Sequence, residues 1–254
     1  MVADIWTLCH GPKHISLIKA TAWRIVETQE QMATRQLVDT LEEQIILEEL
    51  LEAGKPAVPE SYITYHPLLY TPFRYPPLKH GSRFGKKTEP ALWYGSLVLS
   101  TAFAEKAFYL FNFLNASTAV LGMVAPQFTG FSVQVQSKKG VQLTSVAFAN
   151  YTSLISKPTS YQASQLLGSA MRHAGVEAFT YGSAREKQKG TNIGLFTPHA
   201  FLHKTPNAAS FQSWQCIATT ELIEFSRISA MASETMRFTV NQFRVGKILP
   251  FPAC

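Results

Sequence analysis

The chain has 254 residues, is 46% hydrophobic and 16% charged, and carries a formal net charge of +6. This is the composition of an ordinary globular protein with enough apolar material for a real core. The positive balance suits a polyanionic ligand, an acidic partner or nucleic acid, but Lys and Arg are scattered rather than gathered into a stripe, which argues against nucleic-acid binding. Three widely spaced cysteines (Cys9, Cys216, Cys254) offer neither zinc-ligand spacing nor an even disulfide set.

In chain order, the N-terminus lacks an apolar h-region followed by a small-residue cleavage site. The most apolar stretch, 97–124, is broken by Glu105, Lys106, Asn112 and Asn115. A cytoplasmic protein without membrane contact is therefore expected. Residues 13–29 read as a helix, and 32–53 more strongly so. Leu37, Leu41, Ile45, Leu47, Leu50 and Leu51 recur at helical spacing there, and Gly54 and Pro56 supply the stop. These segments make residues 1–54 an N-terminal helical extension, packed on its own domain or offered to a partner, ahead of a main domain over 55–254. Residues 55–90 hold seven of the fourteen prolines and read as an extended, loop-rich entry whose aromatics pack on the core.

Beyond this the pattern becomes regular. A strand is expected over 91–98, then a helix over 100–115 with Ser100 or Thr101 as N-cap. Strands follow at 120–124, 130–136 and 143–149, then a helix over 160–174 stopped by Gly175. Further strands are expected at 178–181 and 193–196 around a polar loop, and at 214–219, 222–226 and 235–243. Strands dominate the C-terminal half, so the class expected is α+β with mainly antiparallel sheets.

Several residues invite chemistry. Arg74 and Arg83 lie in a Pro/Gly-rich region, where a guanidinium is free to grip phosphate in a bidentate fork, and the glycines of GSRFG favour Arg83. In LWYGS, Trp93 and Tyr94 point to opposite faces of a strand, one to the core and the other towards a cleft. Glu105 sits in a helix rich in Phe, Leu and Ala. It is either partnered and partly buried or, next to Lys106, on the solvent face. Ser183 lies in YGSAR beside Arg185, with Lys187 and Lys189 following. Tyr181 and Arg185 stand where a GxSxG elbow needs glycine, so Ser183 reads as a ligand-binding or turn-capping hydroxyl rather than a nucleophile. No Walker A loop, strand-following GxGxxG or HExxH occurs.

Taken together these segments resemble the RES family, named for its arginine, glutamate and serine. The resemblance rests on Arg74, GSRF with Arg83, WYGS with Tyr94 and Ser96, STAFAE with Glu105, and YGSAR with Ser183 followed by GTNIGLFTP. It covers roughly residues 68–200. One extra residue separates Arg83 from Tyr94, and Phe84 replaces the family's usual tryptophan.

The resemblance implies an ADP-ribosyltransferase-like fold with NAD held in a cleft between sheets, and a toxin of a bacterial toxin–antitoxin pair. Such a toxin cleaves the nicotinamide–ribose bond as an NAD glycohydrolase or NAD phosphorylase. NAD is then substrate rather than prosthetic group, and inorganic phosphate is an alternative co-substrate to water. Arg74 and Arg83 would hold phosphate and Tyr94 would stack on or orient the nicotinamide ribose. Glu105 would offset charge on the anomeric carbon, and Ser183 would bind the nicotinamide end, with Ser96 and Arg185 completing the binding set. The implied partner is a helix-turn-helix (Xre-type) antitoxin covering the cleft, with a homodimer inside the complex and no direct nucleic-acid contact. Two other readings are a mono-ADP-ribosyltransferase acting on a protein in the same cleft, and a non-catalytic module that binds nucleic acid or a partner.

Overall fold

The computed structural model describes residues 4–28, 38–117, 122–186, 188, 190–229 and 234–251. Its strands are β1 (Ser16–Glu27), β2 (Trp93–Ser96), β3 (Gln127–Gln142), β4 (Ala178–Gly182), β5 (Thr191–Leu195), β6 (Gln212–Ala218), β7 (Leu222–Arg227) and β8 (Thr235–Thr239). The α-helices are α1 (Ile5–Leu8), α2 (Leu41–Ala53), α3 (Pro67–Arg74), α4 (Leu99–Ala116), α5 (Thr152–Ile155) and α6 (Gln162–His173). The expected α+β class is found. The strands form one sheet in the order β1-β2-β5-β4-β3-β6-β7-β8, antiparallel except for the β3–β4 pair.

β1 also pairs antiparallel with β3 from Glu27↔Phe128 to Ser16↔Gly140, while Trp23 faces Ser96 of β2. The run β1-β2-β5-β4-β3 therefore closes on itself in a partly barrel-like way, and closure removes the exposed edges that an open sheet would leave. All five of its strands feed one apolar cluster that includes Ile18, Ala22, Trp93, Phe131, Val133, Ala178, Ile193 and Leu195. β3 is long enough to use its other side twice, pairing with β6 at Gln127–Gly130 and with β4 at Gly140–Gln142.

Helix α4 lies over the sheet through Phe103, Phe108 and Phe111, all fully buried, which pack with Trp214 and Phe225 of β6 and β7. Each buried ring contributes about 1.5–3 kcal/mol. That anchoring fixes the helix that carries Glu105. On another flank, Leu167 and Met171 of α6 pack with Phe84 and Phe179. Gly175, at φ +75°, ends α6 as expected, because a left-handed residue there costs glycine nothing.

Several elements differ from the sequence reading. The helix expected over 13–29 is not found: a 3-10 turn ends at His14, 16–27 is strand β1, and residue 29 lies outside the described residues. Ile18, Ala22 and Ile25 are its buried apolar residues, and their i, i+4, i+7 spacing imitates a helix face. The described part of the expected helical extension thus places a strand in the same sheet as the rest of the chain. The helix expected over 32–53 is found as α2 at 41–53, with a capping box between Thr40 and Glu43, and its residues 32–37 lie outside the described residues.

Within 55–90 the prolines do not prevent a helix: Pro67 occupies the first turn of α3, where its missing N–H costs nothing. The strand expected at 130–136 is longer, Gln127–Gln142, and the one expected at 143–149 is not formed: a 3-10 helix at Val146–Tyr151 takes its place. Of the strand expected at 120–124, Val124 makes an isolated bridge to Ala218, while 120 and 121 are outside the described residues. The strand expected over 235–243 stops at Thr239 and turns into a 3-10 helix at Val240–Gln242. Among the described residues no helix is long and apolar enough to cross a membrane.

Candidate active site

β2, α4 and β5 meet around the carboxylate of Glu105. α4 follows β2 almost without a connection, so Tyr94 and Ser96 stand in the strand just before the helix, and Glu105 comes nearly two turns into it. Ser183 Oγ donates to Glu105 Oε1 at 2.7 Å, and Asn192 Nδ2 donates to the same oxygen at 2.6 Å. Asn192 is oriented in turn by Ser96, whose Oγ donates to its Oδ1 at 2.7 Å. Ser183 Oγ itself accepts from the backbone N–H groups of Arg185 (3.0 Å) and Glu186 (3.3 Å), a turn cap that fixes the hydroxyl. Both donors thus converge on Oε1, and among the described residues no hydrogen bond engages Oε2. The carboxylate is held in one orientation with one oxygen in reserve.

The YGSAR loop is tied to the start of α4 by a second carboxylate. Glu186 accepts from Thr101 Oγ1 at 2.5 Å and from Ser100 Oγ at 3.1 Å. Ser100 and Thr101 were expected to cap α4, but the N-cap is Val98, which has no capping side chain. The acidic side chain beside the helix start suits the positive end of its dipole.

Arg83 sits on a loop braced from both sides. Gln165 Nε2 of α6 lies within hydrogen-bonding distance of the carbonyls of His80 (3.1 Å) and Ser82 (3.0 Å). Gly168 lets α6 approach the same loop, since a Cβ there would stand 2.0 Å from the Phe84 carbonyl oxygen. From the opposite side the Tyr94 hydroxyl bonds with Ser82 Oγ at 2.8 Å and accepts from Phe84 N at 3.1 Å. Burial pushes the Tyr94 phenol up to about 12, so it stays a neutral hydroxyl. Arg83 is only 6% exposed; it donates to the Lys157 carbonyl at 2.9 Å and lies 4.6 Å over the ring of Tyr161. Arg185, 5% exposed, lies 3.4 Å over Phe108 on the far side, with its Nη2 3.5 Å from the Tyr161 hydroxyl. Its Nη1 is buried without a hydrogen-bond partner among the described residues.

These groups border a cleft of about 920 Å³, the size of a cofactor or nucleotide site. Arg24, Arg83, Tyr94, Ser96, Glu105 and Lys106 line it, whereas Ser183 and Arg185 do not and reach it only through Glu105 and Tyr161. Arg24 Nη1 donates to the Tyr94 carbonyl at 3.1 Å, and burial lowers the Arg24 guanidinium to about 10, still charged at neutral pH. Burial also lowers Lys106, whose Nζ stands 4.8 Å over Phe128. None of the ion pairs among the described residues involves Arg24, Arg83, Lys106 or Arg185. Cations taken out of water without counter-charges are costly, and a polyanionic ligand would supply those charges.

Arg74 has a different position from the one expected. Its Nη1 pairs with Glu52 of α2 at 2.7 Å, its Nε donates to the Pro56 carbonyl, and it does not line the cleft. It joins α3 to α2. The sequence reading missed Arg24, because a strand mistaken for a helix hides which residues face the cleft. It also missed Asn192, although GTNIG directly follows the YGSAR loop. Lys187 and Lys189 lie outside the described residues. No group of three or more His, Cys, Asp or Glu that could hold a metal occurs among the described residues.

The α+β fold thus sets Glu105, held by Ser183 and Asn192, beside a cleft lined by Arg24, Arg83 and Lys106. The RES domain model matches residues 59–217, more than half of the chain, and the chain belongs to the RES family. No curated protein matches it.

Proposed function

We propose that this RES protein cleaves the nicotinamide–ribose bond of NAD and acts as a toxin by depleting it. The observation that carries the reading is Glu105: one carboxylate oxygen is fixed by Ser183 and Asn192 and the other left unengaged, beneath a cleft whose unpaired charges are cationic. Arg24, Arg83 and Lys106 would take the diphosphate. Tyr94, braced through its hydroxyl, would present its ring edge to the nicotinamide ribose. As the C–N bond breaks, its electron pair leaves with the nicotinamide nitrogen, which becomes neutral, and positive charge moves onto the ribose. Glu105 Oε2 offsets that charge from the side of a partly enclosed cleft. Water or phosphate then attacks, giving ADP-ribose or its 1″-phosphate, with the attacking oxygen's proton released. The leaving group needs no proton, so a single carboxylate suffices where a sugar glycosidase uses two.

In the ADP-ribosyltransferase-like arrangement that the family implies, a helix-turn-helix antitoxin would close the cleft in the cytoplasm. Incubating the purified protein with NAD and resolving the products by mass tests the reading. Free nicotinamide with ADP-ribose or ADP-ribose-1″-phosphate is expected. Label retained on protein would replace the reading with ADP-ribosyl transfer, and unchanged NAD would sink it.

A further inference from the structure

A second cavity of about 420 Å³ adjoins the cleft along α4 and shares Lys106, Tyr109 and Phe113 with it. It is a slot between the helix and the start of β3: Tyr109, Leu110 and Phe113 form one wall, and Pro126 and Phe128 belong to the other strand-side segment. Phe113 is 64% exposed, an apolar ring left open to solvent although α4 has ample buried surface elsewhere. The charged groups of the slot are Glu27, from the end of β1, and Lys106, and no ion pair joins them among the described residues. Glu105 and Phe113 are two helical turns apart, about 12 Å at the rise of an α-helix. Lys106 follows Glu105 on the same helix and, with Arg24, lines the cleft that the slot adjoins.

We infer that this slot holds the adenine end of the dinucleotide, an inference that rests on the NAD reading above. A flat aromatic ring fits against Tyr109 and Phe113, which would stack on it. Lys106 stands at the junction, where it meets the phosphate next to the adenosine. Glu27 can only accept hydrogen bonds when ionised, and the 6-amino group of adenine is a donor. A purine with a carbonyl at that position would set lone pairs against the carboxylate. The slot therefore selects adenine by polarity as well as shape.

Three measurements with the full chain test this. First, the unsubstituted protein is assayed with NAD and with nicotinamide hypoxanthine dinucleotide, in which an oxo group replaces the amine. NAD should be preferred about tenfold or more in kcat/KM, the worth of one charge-assisted hydrogen bond. Second, Glu27→Gln should bring the two substrates within about threefold of each other, since an amide can accept from one and donate to the other. Third, Phe113→Ala should raise KM for NAD about tenfold through lost stacking, yet leave the inhibition constant of nicotinamide mononucleotide unchanged. Equal use of both dinucleotides by the unsubstituted protein overturns the inference while leaving NAD cleavage intact. So does a Phe113→Ala variant that weakens the mononucleotide as much as NAD. No consumption of either dinucleotide overturns the NAD reading itself, and the inference with it.

Discussion

Replacing Glu105 with glutamine tests the centre of the mechanism with little disturbance to the fold. The amide is nearly isosteric, and its oxygen can still accept from Ser183 and Asn192, which stand 2.7 and 2.6 Å from Oε1. Those two donors would fix its orientation: the carbonyl takes the Oε1 position and the NH₂ the Oε2 position. A donor dipole then faces the developing ribosyl cation where a negative charge stood. A unit charge about 4 Å from a cation is worth about 4 kcal/mol at the effective dielectric of a partly enclosed site. At 1.36 kcal/mol per decade, kcat should fall about a thousandfold. KM should change little, because the cation exists only in the transition state. Nicotinamide release at saturating NAD measures the first and its substrate dependence the second, with far-ultraviolet circular dichroism and thermal melting as checks on the fold. A kcat within about tenfold of the unsubstituted protein would refute the assignment of Glu105 as counter-charge.

Asn192→Ala removes one of the two donors on Glu105 and leaves Ser96 without its acceptor, so kcat should drop about 10–100-fold, the worth of a hydrogen bond to a charged group; an unchanged kcat in single-turnover assays would make Asn192 merely structural. Arg83→Ala should raise KM for NAD at least about tenfold, whereas Arg74→Ala, outside the cleft, should leave both kinetic constants unchanged while loosening α2; the reverse pattern in steady-state assays would restore Arg74 to the site. Burial holds the phenol of Tyr94 up at about 12 and those of Tyr109 and Tyr181 well above their ordinary value. A raised folded-state value means stability that is complete below about pH 10, where unfolded tyrosines ionise, and that is lost as pH climbs towards 12. In an alkaline titration followed by phenolate absorbance, Tyr94→Phe should delete a late-titrating phenol, and deletion of one in the ordinary range would contradict this.

The path from β2 into α4 was legible because its signals are local. Alternation around Trp93 and Tyr94, then phenylalanine at helical spacing, points to a strand and a helix, and Glu105 follows from its place on that helix. The same holds for α6 and its glycine stop, and for β4 and β5 around the YGSAR loop. β1 was misread because a strand in a closed sheet is not buried on one simple face. Ile18, Ala22 and Ile25 are covered by different neighbours, and their spacing imitates a helix. With β1 unread, Arg24 could not be placed, and Arg74 stood in for it as the nearest loop arginine.

By itself, then, the sequence determined the class, the family and the segments that carry Arg83, Tyr94, Glu105 and Ser183, since periodicity, turn residues and short motifs are properties of neighbouring residues. Only the tertiary structure decided that Arg24 enters the cleft and Arg74 leaves it, that Asn192 shares Glu105 with Ser183, and that a second slot continues the site past Lys106. Those facts depend on which strands close upon one another across 70 and more residues of chain, as between Arg24 and Tyr94, and no local pattern encodes that pairing.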